Sequence, residues 1–333
     1  MREATVGESR EQIKADGAVP EISVIIPVYN EEDTLGVLIE RLVTVLDGFG
    51  ETFELVFIDD GSHDRSLEML RDFHAKDARI KCLSLSRNFG HQVAVSCGLD
   101  HAAGRAVIVM DGDLQDPPEI LPDLVGKWRE GYDVVYAVRR KRKENFLKRG
   151  AYASFYWLLR KVSYLDIPLD SGDFSLMDRR VVDLLKQMPE RNRFVRGLRT
   201  WVGLRQTPFI YERGARFAGE SKYGLTKLMR LAFDGLISYS FVPLRVVSNL
   251  GMLVSLSALG YMIFLIIDRF FGERGTIEGW TSTVVILLFI GGVQLLSLGI
   301  IGEYIGRIFD EVKQRPQYVV GERVGLGPAE RPE

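Results

Sequence analysis

Short apolar runs alternate with longer amphipathic ones over the first 138 residues. Segments 22–28, 53–58, 80–85, 106–110 and 133–138 are apolar or alternate apolar with polar, and each has the length of a strand. Between them, 31–47, 64–77, 91–102 and 119–129 carry apolar residues at helical spacing. This rhythm predicts an α/β fold, a mostly parallel sheet with helices on both faces. Ligands of such sheets bind outside the carboxyl ends of the strands. Asn30-Glu31, Asp59-Asp60-Gly61-Ser62 and Asp111-Gly112-Asp113-Leu114-Gln115 each follow a strand directly. Three polar turns are therefore expected on one rim.

The pattern changes after residue 139. Segment 148–165 holds Tyr152, Phe155, Tyr156 and Trp157 between basic ends, and 225–241 sets Lys227, Arg230, Asp234 and Ser238 in one polar stripe. Either pattern fits a helix lying in a membrane interface or an amphipathic helix packed on the sheet. Next come 246–267 and 280–301, each 22 residues without a charge. At 1.5 Å per residue either can cross a hydrocarbon layer of about 30 Å, which favours a transmembrane hairpin over a buried one. The link at 268–279 holds three acids and two arginines, while Lys227, Arg230, Arg245, Arg307, Lys313 and Arg315 flank the pair. The positive-inside bias then places the link outside and both ends in the cytoplasm of an inner-membrane protein. The expected division is a disordered tail at 1–20, a catalytic domain at 21–224, an interfacial helix at 225–242, the hairpin at 243–310 and a cytoplasmic tail at 311–333. Disorder is also expected for 321–333.

Composition adds constraints. The chain has 333 residues, 46% of them hydrophobic, and a formal net charge of −2. That leaves room for a large domain and a second element, and gives no bias toward nucleic acid. Charge is uneven: Arg139-Arg140-Lys141-Arg142-Lys143 and Lys148-Arg149 form a basic block. Such a block suits a solvated loop or a nucleic-acid patch, but its aromatic neighbours favour an anionic membrane surface. Cys82 and Cys97 are too far apart for a redox motif and read as buried, reduced thiols. Residues 1–20 are highly charged, so no cleavable signal peptide is expected.

Two carboxylates one residue apart at the end of a buried strand can face one side of the chain. Their hard oxygens suit Mg²⁺ or Mn²⁺ bound jointly with phosphate. The order Pro27-Val28-Tyr29-Asn30-Glu31-Glu32, Asp59-Asp60-Gly61-Ser62, Asp111-Gly112-Asp113 resembles inverting family-2 glycosyltransferases with a GT-A fold. Ser86-Arg87-Asn88-Phe89-Gly90, Asp113-Leu114-Gln115-Asp116-Pro117-Pro118, Asp170-Ser171-Gly172-Asp173-Phe174, Gly219-Glu220-Ser221-Lys222-Tyr223 and Gly302-Glu303-Tyr304-Ile305-Gly306-Arg307 narrow this. Together they resemble the polyprenyl-phosphate glycosyltransferases, a group that includes bactoprenol glucosyltransferases and, more distantly, dolichol-phosphate mannose synthases.

The resemblance implies roles. Pro27, Tyr29, Glu31, Asp59, Asp60, Asp111 and Gly112 would bind the nucleotide of the donor. Asp111, Asp113 and Gln115 would coordinate the Mg²⁺ or Mn²⁺. Arg139, Arg216, Ser221 and Lys222 would meet the acceptor phosphate, and Asp113, Asp173, Arg139 and Lys222 would serve catalysis. Plain alternatives stand beside these: a capped turn for Asp59-Asp60-Gly61-Ser62, core packing for Tyr29, solvated surface charge for Arg139, Arg216 and Lys222. Asp173 departs from the mannose-synthase pattern and favours a glucosyl-type donor. The implied partners are a nucleotide sugar, most simply UDP-glucose, a polyprenyl phosphate such as undecaprenyl phosphate, the membrane and further copies of the chain. GDP-mannose, UDP-aminoarabinose or a UDP-N-acetylhexosamine are alternative donors. A processive polysaccharide synthase would need Gln-x-x-Arg-Trp, to which Arg199-Thr200-Trp201 comes nearest without the glutamine. A dinucleotide oxidoreductase would need Gly-x-Gly-x-x-Gly where Pro27-Val28-Tyr29-Asn30 stands. A non-catalytic sugar-nucleotide-binding subunit is the reading from another class.

Overall fold

In the computed structural model, described residues are 19–139, 171–188, 190–191, 193–211, 242–271 and 279–327. In chain order the elements are β1 (Ile22–Val28), α1 (Glu32–Phe49), β2 (Phe53–Asp59), α2 (Ser66–Lys76), β3 (Ile80–Leu85), α3 (His91–His101), β4 (Ala106–Val109), α4 (Leu121–Arg129), β5 (Val134–Arg139), β6 (Ser171–Asp178), α5 (Arg179–Lys186), α6 (Val195–Val202), β7 (Gln206–Tyr211), α7 (Val242–Phe271), α8 (Trp280–Val312) and β8 (Val320–Val324). The strands form one mixed sheet in the order β7-β5-β6-β4-β1-β2-β3-β8.

The early strands form where the apolar runs lie because both of their faces are covered. Ile22, Val24, Ile26 and Val28 pack with Leu35, Leu38, Leu42 and Leu46 of α1 on one side, while Ile25 packs with Ala94, Val95 and Val181 on the other. β1 pairs parallel to both β2 and β4, so β2 and β3 build outward one way and β4 the other. Chain order reverses between β1 and β4, which opens a crevice at their carboxyl ends. The GT-A architecture expected from the sequence is the one observed. Cys82 and Cys97 are free, buried and on opposite sheet faces, and burial pushes the Cys97 thiol up to about 12.

Three features differ from the expectation. The stretch after β5 adds β6 antiparallel to both β4 and β5, and β7 parallel to β5. The expected disorder of 321–333 is corrected at its start: β8 pairs antiparallel with β3. Arg71 grips Glu322 through Nε at 2.8 Å, and Tyr318 donates to Asp100 at 2.9 Å, anchoring this returning segment. Finally, β4 stops at Val109, one residue short of the apolar run.

Two compact units divide the chain, one built on the sheet and one holding α7 and α8. α7 and α8 enclose the two uncharged stretches. Within α8, Phe289–Val312 is long and apolar enough to cross a membrane, and none of its most apolar window is buried. The expected interfacial helices at 148–165 and 225–241 lie outside the described residues.

Candidate active site

Two turns at the ends of β1 and β2 are knitted by their own polar groups. Asn30, at a left-handed φ of 56°, donates its N–H to Ser62 Oγ at 3.0 Å, and its Oδ1 accepts from His63 N at 2.8 Å. Gly61 has φ +71°, and a Cβ there would lie 2.6 Å from the Arg87 carbonyl carbon. Only glycine satisfies both conditions. Asp59 is 1% exposed and accepts from Ser62 N at 3.0 Å and Ser84 Oγ at 2.7 Å. Asp60 accepts from Phe89 N at 2.7 Å and Gly90 N at 2.9 Å; burial raises its pKa while those amides pull it back. The turn half of the alternative for these two acids is realised, while the N-cap positions of α2 and α3 are Arg65 and Gly90 rather than either acid. Tyr29, by contrast, is 43% exposed with its ring edge-on to His63, which rules out core packing. Thr34 Oγ1 donates to Glu31 Oε2 at 2.9 Å and steadies that carboxylate.

The end of β4 brings the acids together. A Cβ on Gly112 would sit 3.1 Å from the Pro27 carbonyl oxygen, so glycine lets the acidic turn lie close against β1. Leu114 takes a left-handed φ of 59° with its side chain buried, and Gln115 N donates to Asp113 Oδ1 at 3.1 Å. Together they fold Asp113 and the buried Gln115 into one compact turn. Buried Asp116 accepts from the Tyr211 hydroxyl at 2.5 Å, tying the turn to the end of β7.

β6 supplies the opposing acid. Val109 pairs with Ser175, and two residues further along each strand lie Asp111 and Asp173. His91, the first residue of α3, bridges them: its Nε2 lies 3.7 Å from Asp111 and 3.3 Å from Asp173. Burial pushes Asp111 up to about 6, helped by Asp116, Asp113 and Asp173 and opposed by His91. Burial would also raise Asp173, but the His91 hydrogen bond and Arg196 overcome it and hold that carboxyl at about 2. His91 itself is raised: burial works against its charge, yet the Asp173 bond and the nearby acids outweigh it.

The acidic turn fits a divalent cation. Hard oxygens from Asp111, Asp113 and Gln115 are the right donor type, and a cation would relieve the crowding that drives Asp111 upward. Among the described residues no three His, Cys, Asp or Glu side chains converge to hold an ion by themselves. Such an ion would need further oxygens, as a diphosphate supplies.

Arg139 ends β5 beside Tyr211, and β5 runs parallel to β4, so its backbone reaches the same rim. Arg216, Ser221 and Lys222 lie outside the described residues. Sequence reasoning missed His91, Gln92, Arg196 and Arg199. Gln92 Nε2 donates to Asp173 Oδ2 at 2.9 Å and Arg196 Nη2 lies 3.5 Å from Asp173 Oδ1. Arg199 is 1% exposed over the Tyr136 ring, and burial, then Arg196, lowers it to about 10. The available signals were His91-Gln92 directly after the Ser86–Gly90 motif, and two arginines one turn apart on an otherwise apolar helix.

Comparison with known proteins agrees with this geometry. Residues 23–185 match Glycosyl transferase family 2, and residues 242–308 match the GtrB C-terminal hairpin. An uncharacterized glycosyltransferase of Bacillus subtilis, YkcC, is 49% identical over 91% of this chain and 94% of its own length. The SfII prophage-derived bactoprenol glucosyl transferase of Shigella flexneri is 42% identical over 90% of this chain and 97% of its own. A prophage bactoprenol glucosyl transferase homolog of Escherichia coli is 40% identical over 90% and 98%. With an acidic rim at a GT-A crevice and this similarity along nearly the whole chain, the protein belongs to the family-2 glycosyl transferases that carry a GtrB-type C-terminal hairpin.

Proposed function

We propose that the protein transfers glucose from UDP-glucose to the phosphate of undecaprenyl phosphate, with inversion at the anomeric carbon. The observation that carries this reading is the acidic rim, Asp111 facing Asp173 across the β4–β6 register with Asp113 two residues beyond Asp111. The naming of the Shigella and Escherichia relatives as bactoprenol glucosyl transferases supports the donor and the lipid.

The chemistry asks little of a general base. A phosphate monoester has a second pKa near 6, so the acceptor oxygen is already anionic at neutral pH. It attacks the anomeric carbon as the bond to the β-phosphate oxygen breaks, and UDP leaves with the electron pair. In-line attack on an α-linked donor gives a β-linked lipid phosphate. Exposed Tyr29 offers a face for the nucleobase, with Pro27, Glu31, Asp59, Asp60 and Gly112 shaping that end. Asp111, Asp113 and Gln115 would hold Mg²⁺ or Mn²⁺, which when bound neutralises charge on the leaving diphosphate. Arg139, Arg216, Ser221 and Lys222 receive the lipid phosphate, arginine through a fork and lysine as a point charge. Asp173, held ionised, accepts a hydrogen bond from the sugar and orients it; positioning of this kind is worth several kcal/mol. The hairpin spans the cytoplasmic membrane with the link at 268–279 outside, the catalytic unit inside, and copies associating through the membrane region.

The test is direct. Membranes containing the protein, undecaprenyl phosphate and Mg²⁺ are incubated with a panel of labelled sugar nucleotides. Label from UDP-glucose entering the lipid phase is expected. Label entering lipid only from another donor would replace glucose, and label entering only a polymer would replace the reaction.

A further inference from the structure

The Asp173 carboxylate is held on both oxygens by groups from outside its own strand. Oδ2 accepts the Gln92 Nε2–H at 2.9 Å and lies 3.3 Å from His91 Nε2, while Oδ1 faces Arg196 Nη2 at 3.5 Å. Gln92 differs from the others in using both ends of its amide. Its Oε1 accepts the backbone N–H of Val195 at 3.1 Å. Val195 opens α6, and the N–H of a first helical residue has no partner inside its helix. Phe194, at the N-cap, offers no side-chain acceptor. One side chain therefore ties α3 to β6 through Asp173 and to α6 through Val195. Flipping the amide would set its N–H₂ against an N–H and its oxygen against a carboxylate, so both bonds are fixed together.

We infer that Gln92 is a positioning residue for glycosyl transfer, its amide fixing the Asp173 carboxylate against the bound sugar. This rests on the reading that Asp173 acts in transfer. The Ser96 hydroxyl bonds the Gln92 carbonyl at 2.8 Å, and the Ser175 hydroxyl bonds the Asp173 carbonyl at 2.9 Å, so both backbones are anchored on either side of the side-chain bond.

Capping and positioning can be told apart by Gln92→Glu. Glutamate keeps an oxygen for the Val195 N–H, so the cap survives, but it turns a carboxylate toward Asp173 in place of a donor. The experiment uses the full chain with UDP-glucose, undecaprenyl phosphate and Mn²⁺. Gln92→Glu should lower kcat about ten- to a hundredfold, the worth of a hydrogen bond to a charged group. KM for UDP-glucose should stay within about twofold, and UDP affinity should not move. Added to Asp173→Asn, Gln92→Glu should cost nothing further, because its effect runs through that carboxylate. Should Gln92→Glu not fold, Gln92→Met, which removes donor and cap together, enters the same cycle, and only its coupling to Asp173→Asn is then read. A wild-type rate for the Gln92 variant leaves only a helix cap and overturns the inference. So does a loss that adds in full to that of Asp173→Asn. A fully active Asp173→Asn protein would overturn the role of Asp173 itself, and the inference with it.

Discussion

Asp111→Asn should stabilise the metal-free protein while abolishing its activity. Burial and three neighbouring carboxylates push the Asp111 carboxyl up to about 6 from an ordinary value near 4. A raised folded-state pKa means the ionised form is disfavoured in the fold. The penalty is absent below about pH 4, grows as pH rises through 6, and is complete above about pH 7. Its ceiling is about 3 kcal/mol at 1.36 kcal/mol for each tenfold change. The side chain keeps 30% of its surface in water, so screening reduces the net figure to about 1–2 kcal/mol. Asparagine keeps the shape and removes the charge. In EDTA at pH 8 the melting temperature should therefore rise by about 2–6 °C, the gain shrinking toward pH 5. Mn²⁺ with UDP should stabilise the wild type and fail to stabilise the variant. The assay is thermal unfolding of purified protein across that pH range, with and without metal. An unchanged or lowered melting temperature in EDTA at pH 8 would refute the claim that the fold disfavours ionised Asp111.

Three further outcomes are expected. Asp113→Ala should abolish transfer while the protein still folds cooperatively in thermal unfolding; an active, folded variant would refute the cation assignment. Lys222→Ala should weaken use of lipid phosphate more than UDP binding, measured by acceptor KM against UDP affinity, and equal losses would remove it from the acceptor side. Gly61→Ala meets both a positive φ and a backbone atom at 2.6 Å, so it should destabilise by about 2–4 kcal/mol in denaturant unfolding. A loss under 0.5 kcal/mol would show that the turn relaxes freely.

The strands that sequence patterning located are those buried on both faces. β1 and β2 are almost wholly apolar because covering helices leave no solvent side. The strands it missed lie toward the edges or carry the site. β7 contains Pro208 and alternates with exposed positions, as an outer strand tolerates. β8 holds Glu322 and Arg323 in five residues and sits at the opposite edge, where one partner suffices. β6 carries Asp173 at its third position, which drew attention as chemistry and hid the strand around it. The acids were legible because each ends a strand. His91 and Gln92 were not, because their meaning depends on contacts about 80 residues away, from α3 to the start of β6. No local pattern encodes that distance.

The two acidic pairs look alike in sequence and differ in what answers their charge. Asp59 and Asp60 spend their oxygens on the amides of Ser62, Phe89 and Gly90 and on the Ser84 hydroxyl. Those bonds lock the ends of β2 and β3 into one rigid floor, which is what a nucleotide site needs before its ligand arrives. Asp111 instead sits among Asp113, Asp116 and Asp173, with His91 between Asp111 and Asp173. The register sets this arrangement: β6 running against β4 carries Asp173 to the position opposite Asp111. A parallel strand at the same place would have sent its start to the far end of the sheet. The antiparallel reversal at β4 therefore does more than close the sheet. It sets Asp173 beside the turn proposed to hold the cation, so the ionisation that burial, then the neighbouring acids, disfavours at Asp111 is the one a bound cation would favour.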